Sequence, residues 1–495
     1  MNGRNPLRRA TAAVLTAAVL LTGCGTRASE EEVRAGAGGG PVTLDQATLD
    51  QVRAATGAGT VGGTGALPAA PGQAPVAVDS GAPGGATVPG APAAPAAPKT
   101  GTPTQPGAKP AGGTAAVNSS LTCTGSEAPV VLGQIGSFSG VLGAIFASAR
   151  TAAAIYAQHI NASGGLACHP VTLYAVDDGG DPSRAASHAQ ALLTTRKAVA
   201  LVATFAPMSM SGIVPVVERH KVPMVGGDAI DPAWFDNPYL FPQGAGLDAL
   251  VEGGLRQTVQ SGKTKLGLLY CVEASLCTSI AKSIPARAKA VGAEIVYSSA
   301  VSLTQTDFTA QCQNAKNAGV ESFGMGVDGS AIARVARSCA ALGFYPQFAS
   351  GGGVMSPAQS KDPGIRRNTM TTSSGNAPWT LTDTPGQKEY HAALARYAPG
   401  TEADGNSITA WASMKLLEAA VKNLGPAAAT KPLTPADLMT GLGKVKNETL
   451  GGLAPPITFS PGQQAAPQIP CVYYALLSEK GWTAPNGSKP VCAKK

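Results

Sequence analysis

Pro129-Val130-Val131-Leu132-Gly133-Gln134-Ile135-Gly136-Ser137-Phe138-Ser139-Gly140 is the stretch that decides the fold. An apolar run ends in a small, hydroxyl-rich loop. Val141, Ile145, Ala149, Ala152, Tyr156 and Ile160 then recur at helical spacing until Gly164-Gly165 stops the pattern. This reads as the first strand, loop and helix of an open α/β sheet, a class that holds ligands at the carboxyl ends of its strands, where helix N-termini offer backbone N–H groups. No aromatic residue precedes Phe138, so nothing upstream has the makings of a core.

Downstream, strand and helix alternate. Strands are expected at Val171–Val176, Ala198–Ala203 and Val222–Val225, with a helix opened by Asp181-Pro182, a loop at Pro207–Gly212 and a helix at Ile213–His220. A second run follows, with strands at Lys265–Tyr270, Glu294–Ala300, Glu321–Met325 and Pro346–Ala349 and helices between them. Alternation with short loops predicts parallel, doubly wound sheets in two similar α/β lobes. The tail adds helices at about Thr384–Tyr397, Asp404–Leu424 and Pro435–Leu442, then short strands near Ile457–Phe459 and Cys471–Leu477.

Upstream, Arg4, Arg8 and Arg9 precede an apolar run from Ala10 to Leu21 and the sequence Leu21-Thr22-Gly23-Cys24. A basic start and a short apolar segment are the features of a secretory signal, too short for a permanent span. Small residues before a cysteine resemble a bacterial lipobox, which would make Cys24 a lipidated N-terminus and residues 1–23 the removed signal. From Gly57 to Ala116 the chain is nearly all Gly, Ala, Pro, Thr and Val. That composition cannot bury enough apolar surface to offset the entropy of ordering, so residues 24–118 read as a disordered tether. As a flexible coil, about 60 residues span roughly 40 Å. The net charge of +7 includes three signal arginines, and with no basic–aromatic cluster there is no nucleic-acid footprint. Beyond Cys24 eight cysteines remain, an even number that reads as disulfides in an exported chain. Local order suggests Cys123–Cys168, Cys271–Cys277, Cys312–Cys339 and Cys471–Cys492. No Cys/His spacing suggests a metal, and no cofactor is expected.

From about Ala128 to Trp482 the chain resembles the type I periplasmic binding proteins, closest to the leucine/isoleucine/valine-binding branch of ABC-transporter receptors. The residues that carry this are Gly136-Ser137-Phe138-Ser139-Gly140 at the first ligand loop, Ile160-Asn161-Ala162-Ser163-Gly164-Gly165-Leu166 at the helix end, Asp177-Asp178 with Asp181-Pro182, the serine-rich Pro207–Gly212, Val222-Pro223-Met224-Val225, and Asp307-Phe308-Thr309. The resemblance implies two lobes joined by three crossings that close on a small ligand, with residues 119–244 and 373–455 in one lobe and 245–372 and 456–495 in the other. It also implies an ABC permease as partner, a monomer, and a small polar ligand such as an amino acid or amide. A ligand sensor acting through a membrane signalling partner is the alternative.

The candidate contacts in the first lobe are Ser137, Phe138, Ser139, Pro207, Ser209, Met210, Ser211, Gly227 and Asp228. Each serine is alternatively a helix cap, Phe138 alternatively core, and Asp228 alternatively a turn residue. Trp379, near a crossing, would line the cleft or the core. In the second lobe the resemblance places contacts near Ser275, Asp328 and Gly352. Gly352 stands where amino-acid binders carry an acid for the ligand's ammonium. Asp328 would supply that carboxylate from another strand end or cap the next helix. A buried ammonium left unpaired is costly, so an uncharged or anionic ligand gains ground. Enzyme motifs do not assemble. Ser279–Lys282 is an SxxK and Ser374-Gly375-Asn376 an SxN, but the accompanying Lys99-Thr100-Gly101 lies in the tether, ahead of both.

Overall fold

The computed structural model describes residues 127–273, 275–460 and 466–493, together with Cys123. The expected signal, Cys24 and tether lie outside the described residues. The first sheet takes β1 (Val130–Gly136), α1 (Gly143–Ala162), β2 (Val171–Asp177), α2 (Pro182–Thr194), β3 (Ala200–Thr204), α3 (Met210–His220), β4 (Met224–Gly227), α4 (Ala233–Asp236) and β5 (Leu240–Phe241). Its strands are all parallel, in the order β2-β1-β3-β4-β5. Parallel sheets are covered on both faces and their strands are apolar throughout, and β3 is buried along its whole length. The one amide inside this layer, Gln134, donates to the Ala203 carbonyl at 3.0 Å, while its Oε1 is buried without a partner.

The second run gives α5 (Leu247–Gln260), β6 (Lys265–Cys271), α6 (Ser275–Ala290), β7 (Glu294–Val301), α7 (Thr309–Asn317), β8 (Ser322–Gly326), α8 (Gly329–Ala341), β9 (Gln347–Gly351), α9 (Pro363–Asn368) and β10 (Met370–Ser374). The chain then forms α10 (Pro385–Tyr397), α11 (Gly405–Lys422) and α12 (Pro435–Gly443), and returns with β11 (Cys471–Ser478), β12 (Gly481–Thr483) and β13 (Val491–Cys492). The second sheet runs β12-β11-β10-β9-β8-β6-β7, parallel from β10 to β7 and antiparallel where β11 joins β10 and β12. The doubly wound α/β class is therefore present twice.

Three expectations shift. The loop at 207–212 is shorter, because α3 already begins at Met210. Ile457–Phe459 is not a strand, since Ile457 makes only an isolated bridge with Glu448. The helix at 247–260 was not anticipated; with Gly253, Gln257 and Thr258 as its buried residues, its inner face is too polar to show as an apolar stripe.

α11 lies in the first lobe, against β3, β4 and α1. Gly226, at φ +68°, is the penultimate residue of β4, where a side chain would overlap Ser413 of α11. A buried ionic group ties the three outer helices together. Tyr156 of α1 donates to Glu418 Oε2 at 2.8 Å, and Lys415 Nζ stands 2.6 Å from Glu418 and 3.0 Å from Glu389 of α10. Burial alone would raise the Glu418 carboxyl, but Lys415 and Lys422 outweigh it and hold its pKa at about 2. Its contribution to stability is present above the ordinary value of 4.5 and is lost as pH falls toward 2.

All four expected disulfides form: Cys123–Cys168, Cys271–Cys277, Cys312–Cys339 and Cys471–Cys492. Cys312–Cys339 is wholly buried and pins α7 to α8, whereas Cys471–Cys492 joins β11 to β13.

Candidate functional site

In both sheets the chain steps from the first strand to an outer neighbour and then returns to the other side. The switch points lie between β1 and β3 and between β6 and β8. Ligands of open α/β sheets bind in the crevice at such points. In the first lobe, Ser137 N–H donates to the Phe205 carbonyl at 2.8 Å, which seats the two loops side by side.

The first loop was expected to offer free N–H groups, and here the structure corrects the sequence reading. The N–H of Phe138 and of Ser139 both donate to Asp177 Oδ1, at 2.8 and 3.1 Å, and Ser137 Oγ donates to Asp178 Oδ1 at 2.7 Å. Asp177 and Asp178, set at the end of β2, hold the loop rather than a ligand. Burial would raise the Asp177 carboxyl, but the Ser139 hydroxyl and the backbone N–H groups outweigh it and hold its pKa low. Phe138 folds back over Gly136 and carries the Arg150 guanidinium 5.8 Å from its ring centre.

The second loop keeps its polar groups. Pro207 is half-buried, and Ser209 is the N-cap of α3 yet makes no capping bond. Its hydroxyl is buried without a partner, as is that of Thr204 at the end of β3. Met210 is buried and Ser211 exposed on the first turn of α3, where helix N–H groups lack intrahelical acceptors. Gly227 closes β4 against Thr204. Beside it, Asp228 accepts from Ala206 N–H and Ile230 N–H, at 2.9 Å each. Asp228 keeps some exposed surface, but the loops packed round its carboxyl desolvate it and, against those two N–H bonds, push its pKa up to about 7.

In the second lobe, Asp328 caps α8, accepting from Ser330 N–H at 3.0 Å and Ala331 N–H at 3.2 Å. Ser275 is the first residue of α6. Glu273, in the Cys271–Cys277 loop, accepts from Ser302 Oγ and Leu303 N–H and fastens β6 to the end of β7. Gly352 is buried between Ser374 and Trp379. Trp379 is buried and meets Trp482 edge to face, 5.0 Å between centres.

Two groups of functional residues escaped the sequence reading. The first joins the crossings. Gln243 donates to the Gly227 carbonyl and accepts from Gly227 N–H, at 2.9 Å each, and donates to Asn376 Oδ1 at 3.2 Å. Asn376 Nδ2 lies 3.2 Å from the Gln243 carbonyl and 3.3 Å from that of Leu453. The second spans the lobes at the α11 N-terminus. Asn406 Nδ2 donates to Ile145 O of α1 at 2.8 Å and to Gly353 O beyond β9 at 2.7 Å. A Cβ at Gly405 would sit 2.5 Å from the Gly352 carbonyl, so only glycine admits this approach. Lys361 reaches Glu402 across the same seam at 2.5 Å. The legible signal for both groups was slight: an amide beside glycine, which also reads as a turn.

The family model for periplasmic binding proteins matches residues 129–478. The chain belongs to that family. It is therefore an extracytoplasmic binding protein and not an enzyme, with the type I architecture of two parallel-sheet lobes. Among solved structures it is similar in fold to a substrate-binding periplasmic protein from Ralstonia solanacearum, at 18% identity and TM-score 0.61, covering 72% of this chain and 99% of that one. A possible leucine/isoleucine/valine-binding protein from Rhodopirellula baltica gives 15% and 0.62, covering 73% and 97%. An ABC-transporter solute-binding protein from R. palustris in complex with benzoate gives 14% and 0.60, covering 74% and 98%. No curated protein matches this chain in sequence. Among the described residues no helix is long and apolar enough to cross a membrane.

Two outcomes follow from this geometry. Asp228 binds its proton more tightly folded than unfolded, so its contribution is complete below the ordinary value of 3.8 and is lost as pH rises through about 7. The melting temperature of the protein relative to an Asp228→Asn variant should therefore fall from about pH 4 to about pH 8; a pH-independent difference would refute the assignment. Asn406→Ala removes one bond across the seam, to Gly353, and one to α1 within the first lobe, of about 0.5–1.5 kcal/mol each. Small-angle scattering should show a larger radius of gyration for the variant without ligand, and an unchanged value would show that Asn406 does not hold the lobes together.

Proposed function

We propose that this protein captures a small polar solute between its two lobes by hinge closure and presents it to an ABC permease. The observation that supports this most is the pair of switch points in one chain, joined by crossings that an amide web ties to the loop at Gly227. Closure is favoured when a ligand touches both lobes and so binds the closed state better. The Ser209 and Thr204 hydroxyls at the start of α3 and the end of β3 are the groups we assign to the ligand in the first lobe, because no partner in the fold satisfies them. The first loop plays a smaller part, since Asp177 and Asp178 occupy its donors. In the second lobe Asp328 is engaged in capping and Gly352 offers no acid, which favours a cleft ligand without an ammonium group. The lobe boundaries, the monomeric state, the signal peptide and the lipid on Cys24 belong to the same reading. Together they make a receptor on a long stalk at the outer face of the membrane.

A thermal-shift screen of the intact chain with amino acids, amides, short acids and aromatic acids tests the binding function. At a ligand concentration of about 100 Kd, mass action stabilises the folded state by about 2.7 kcal/mol. No shift with any of these classes would count against a solute receptor for them. Cys24→Ala should abolish labelling by a radioactive fatty acid and release the protein from the membrane fraction; continued labelling would remove the lipid-anchor assignment.

A further inference from the structure

A cavity of about 200 Å³ lies at the hinge end of the seam between the lobes. Of the strand-end loops only the one after β9 reaches it, through Met355, Ser356 and Pro357. Its walls come from four separate segments: Met355 after β9, Trp379 and Thr380 in the second crossing, Glu402 and Asp404 before α11, and Trp482 on β12. It is smaller than the roughly 300–1,000 Å³ of pockets for drug-sized ligands. An occupant would be a molecule of only a few heavy atoms, and it would touch both lobes and the hinge at once.

The chemistry of the walls is one-sided. Two indoles meet edge to face at 5.0 Å and present aromatic surface, and Met355 adds a polarisable apolar face. Two carboxylates line the cavity, and no lysine, arginine or histidine does. Asp404 is held in place by Ser148 Oγ and Ser407 N–H, at 2.8 Å each, so it cannot turn away. Lys361 answers Glu402 from outside the lining and leaves Asp404 without a cationic partner at this wall. The Thr380 hydroxyl is enclosed and unpartnered, an orientation point for a polar substituent. With the Lys361 ammonium already spent on Glu402 and Asp404 without a cation of its own, aromatic surface beside carboxylates is a poor site for an anion and a better one for a positive charge, which indole faces attract most strongly among side chains.

We infer that this cavity is a binding site for a small organic cation, an amine or quaternary ammonium compound, held by Trp379, Trp482, Asp404 and Glu402. The site touches only one strand-end loop, the one after β9, shares none of the groups assigned to the cleft ligand in the first lobe, and does not rest on what they bind. Because its walls come from both lobes, the cation would also favour the closed arrangement.

Three probes of the same shape test the inference: choline, its neutral isostere 3,3-dimethylbutan-1-ol, and the anion 3,3-dimethylbutyrate. Binding to the intact chain is followed by calorimetry and by tryptophan fluorescence. The chain has four tryptophans, and Trp234 and Trp411 are wholly enclosed, so a fluorescence change reports on Trp379 and Trp482. Choline should bind at least about tenfold more tightly than the neutral isostere, and the anion should not bind. Trp482→Phe and Glu402→Gln, which keep the shape of the wall, should each weaken choline several-fold. Ser209→Ala, in the strand-end site, should leave choline binding unchanged while altering that of any cleft ligand. Equal affinity for the three probes, or no binding of choline and tetramethylammonium at millimolar concentration to the folded protein, would overturn the assignment.

Discussion

The amide web at the crossings is the constraint on which the rest of the molecule depends. Gln243 grips both backbone groups of Gly227 and reaches Asn376, whose side chain extends to Leu453. One buried pair of amides thus couples all three connections between the lobes to the last residue of β4. Such groups are costly to bury unpaired and rigid when fully paired. Gly244 packs directly on the Gly375 carbonyl, so the backbones of two crossings touch where any side chain would separate them. In the closure proposed above, a hinge of this kind absorbs a change of angle but not a sliding strand, so one sheet's strand ends would rotate toward the other's.

That rotation brings together loops with unequal reserves of polar groups. Around β1 and β2 nearly everything polar is used internally: Asp177 takes the N–H groups of the first loop, and Asp178 takes the Ser137 hydroxyl. In the second lobe Asp328 caps α8, and Glu273 ties the end of β6 to the β7–α7 loop. What is left over sits at Thr204, Ser209 and the start of α3, close to a carboxyl whose pKa the surrounding loops raise to about 7. In the reading proposed above, recognition by hydrogen bonds is therefore concentrated on one side of one lobe. A buried hydroxyl in want of a partner discriminates well, because a ligand that fails to satisfy it leaves the cost unpaid.

The alternation of strands and helices was legible because each parallel strand is a continuous apolar run, and a step to 3.6-residue spacing follows it. The four disulfides were legible because each closes a local loop; Cys312 and Cys339, for example, fall on successive helices of one lobe. The roles of side chains at the strand ends were not legible. Serine and aspartate have the same appearance whether they cap, staple or bind, and Ser137, Ser209 and Asp328 went three different ways. Asn376 shows the difficulty most plainly. In the sequence it completes an SxN triplet that hints at an enzyme, while in the fold it is the amide that joins three crossings. Nothing local to residues 374–376 distinguishes the two, since the partners lie 133 and 77 positions away.

The seam at the α11 N-terminus adds a second requirement to recognition. Asn406, the Gly352–Gly405 contact and the Lys361–Glu402 pair join the lobes through groups of the protein itself. In the proposed hinge closure, these contacts would count toward the closed arrangement before any ligand arrives. A ligand then needs to supply only the remaining difference between open and closed states, and shifting an equilibrium from 1:99 to 99:1 takes about 5.5 kcal/mol of differential binding. Part of that being present already, a small solute with few contacts can still drive closure. The cost appears as selectivity: the more closure the protein supplies, the less it depends on what is bound. In that reading, discrimination comes from the orphaned hydroxyls of Thr204 and Ser209, which would penalise a poor ligand in the closed state, rather than from the hinge.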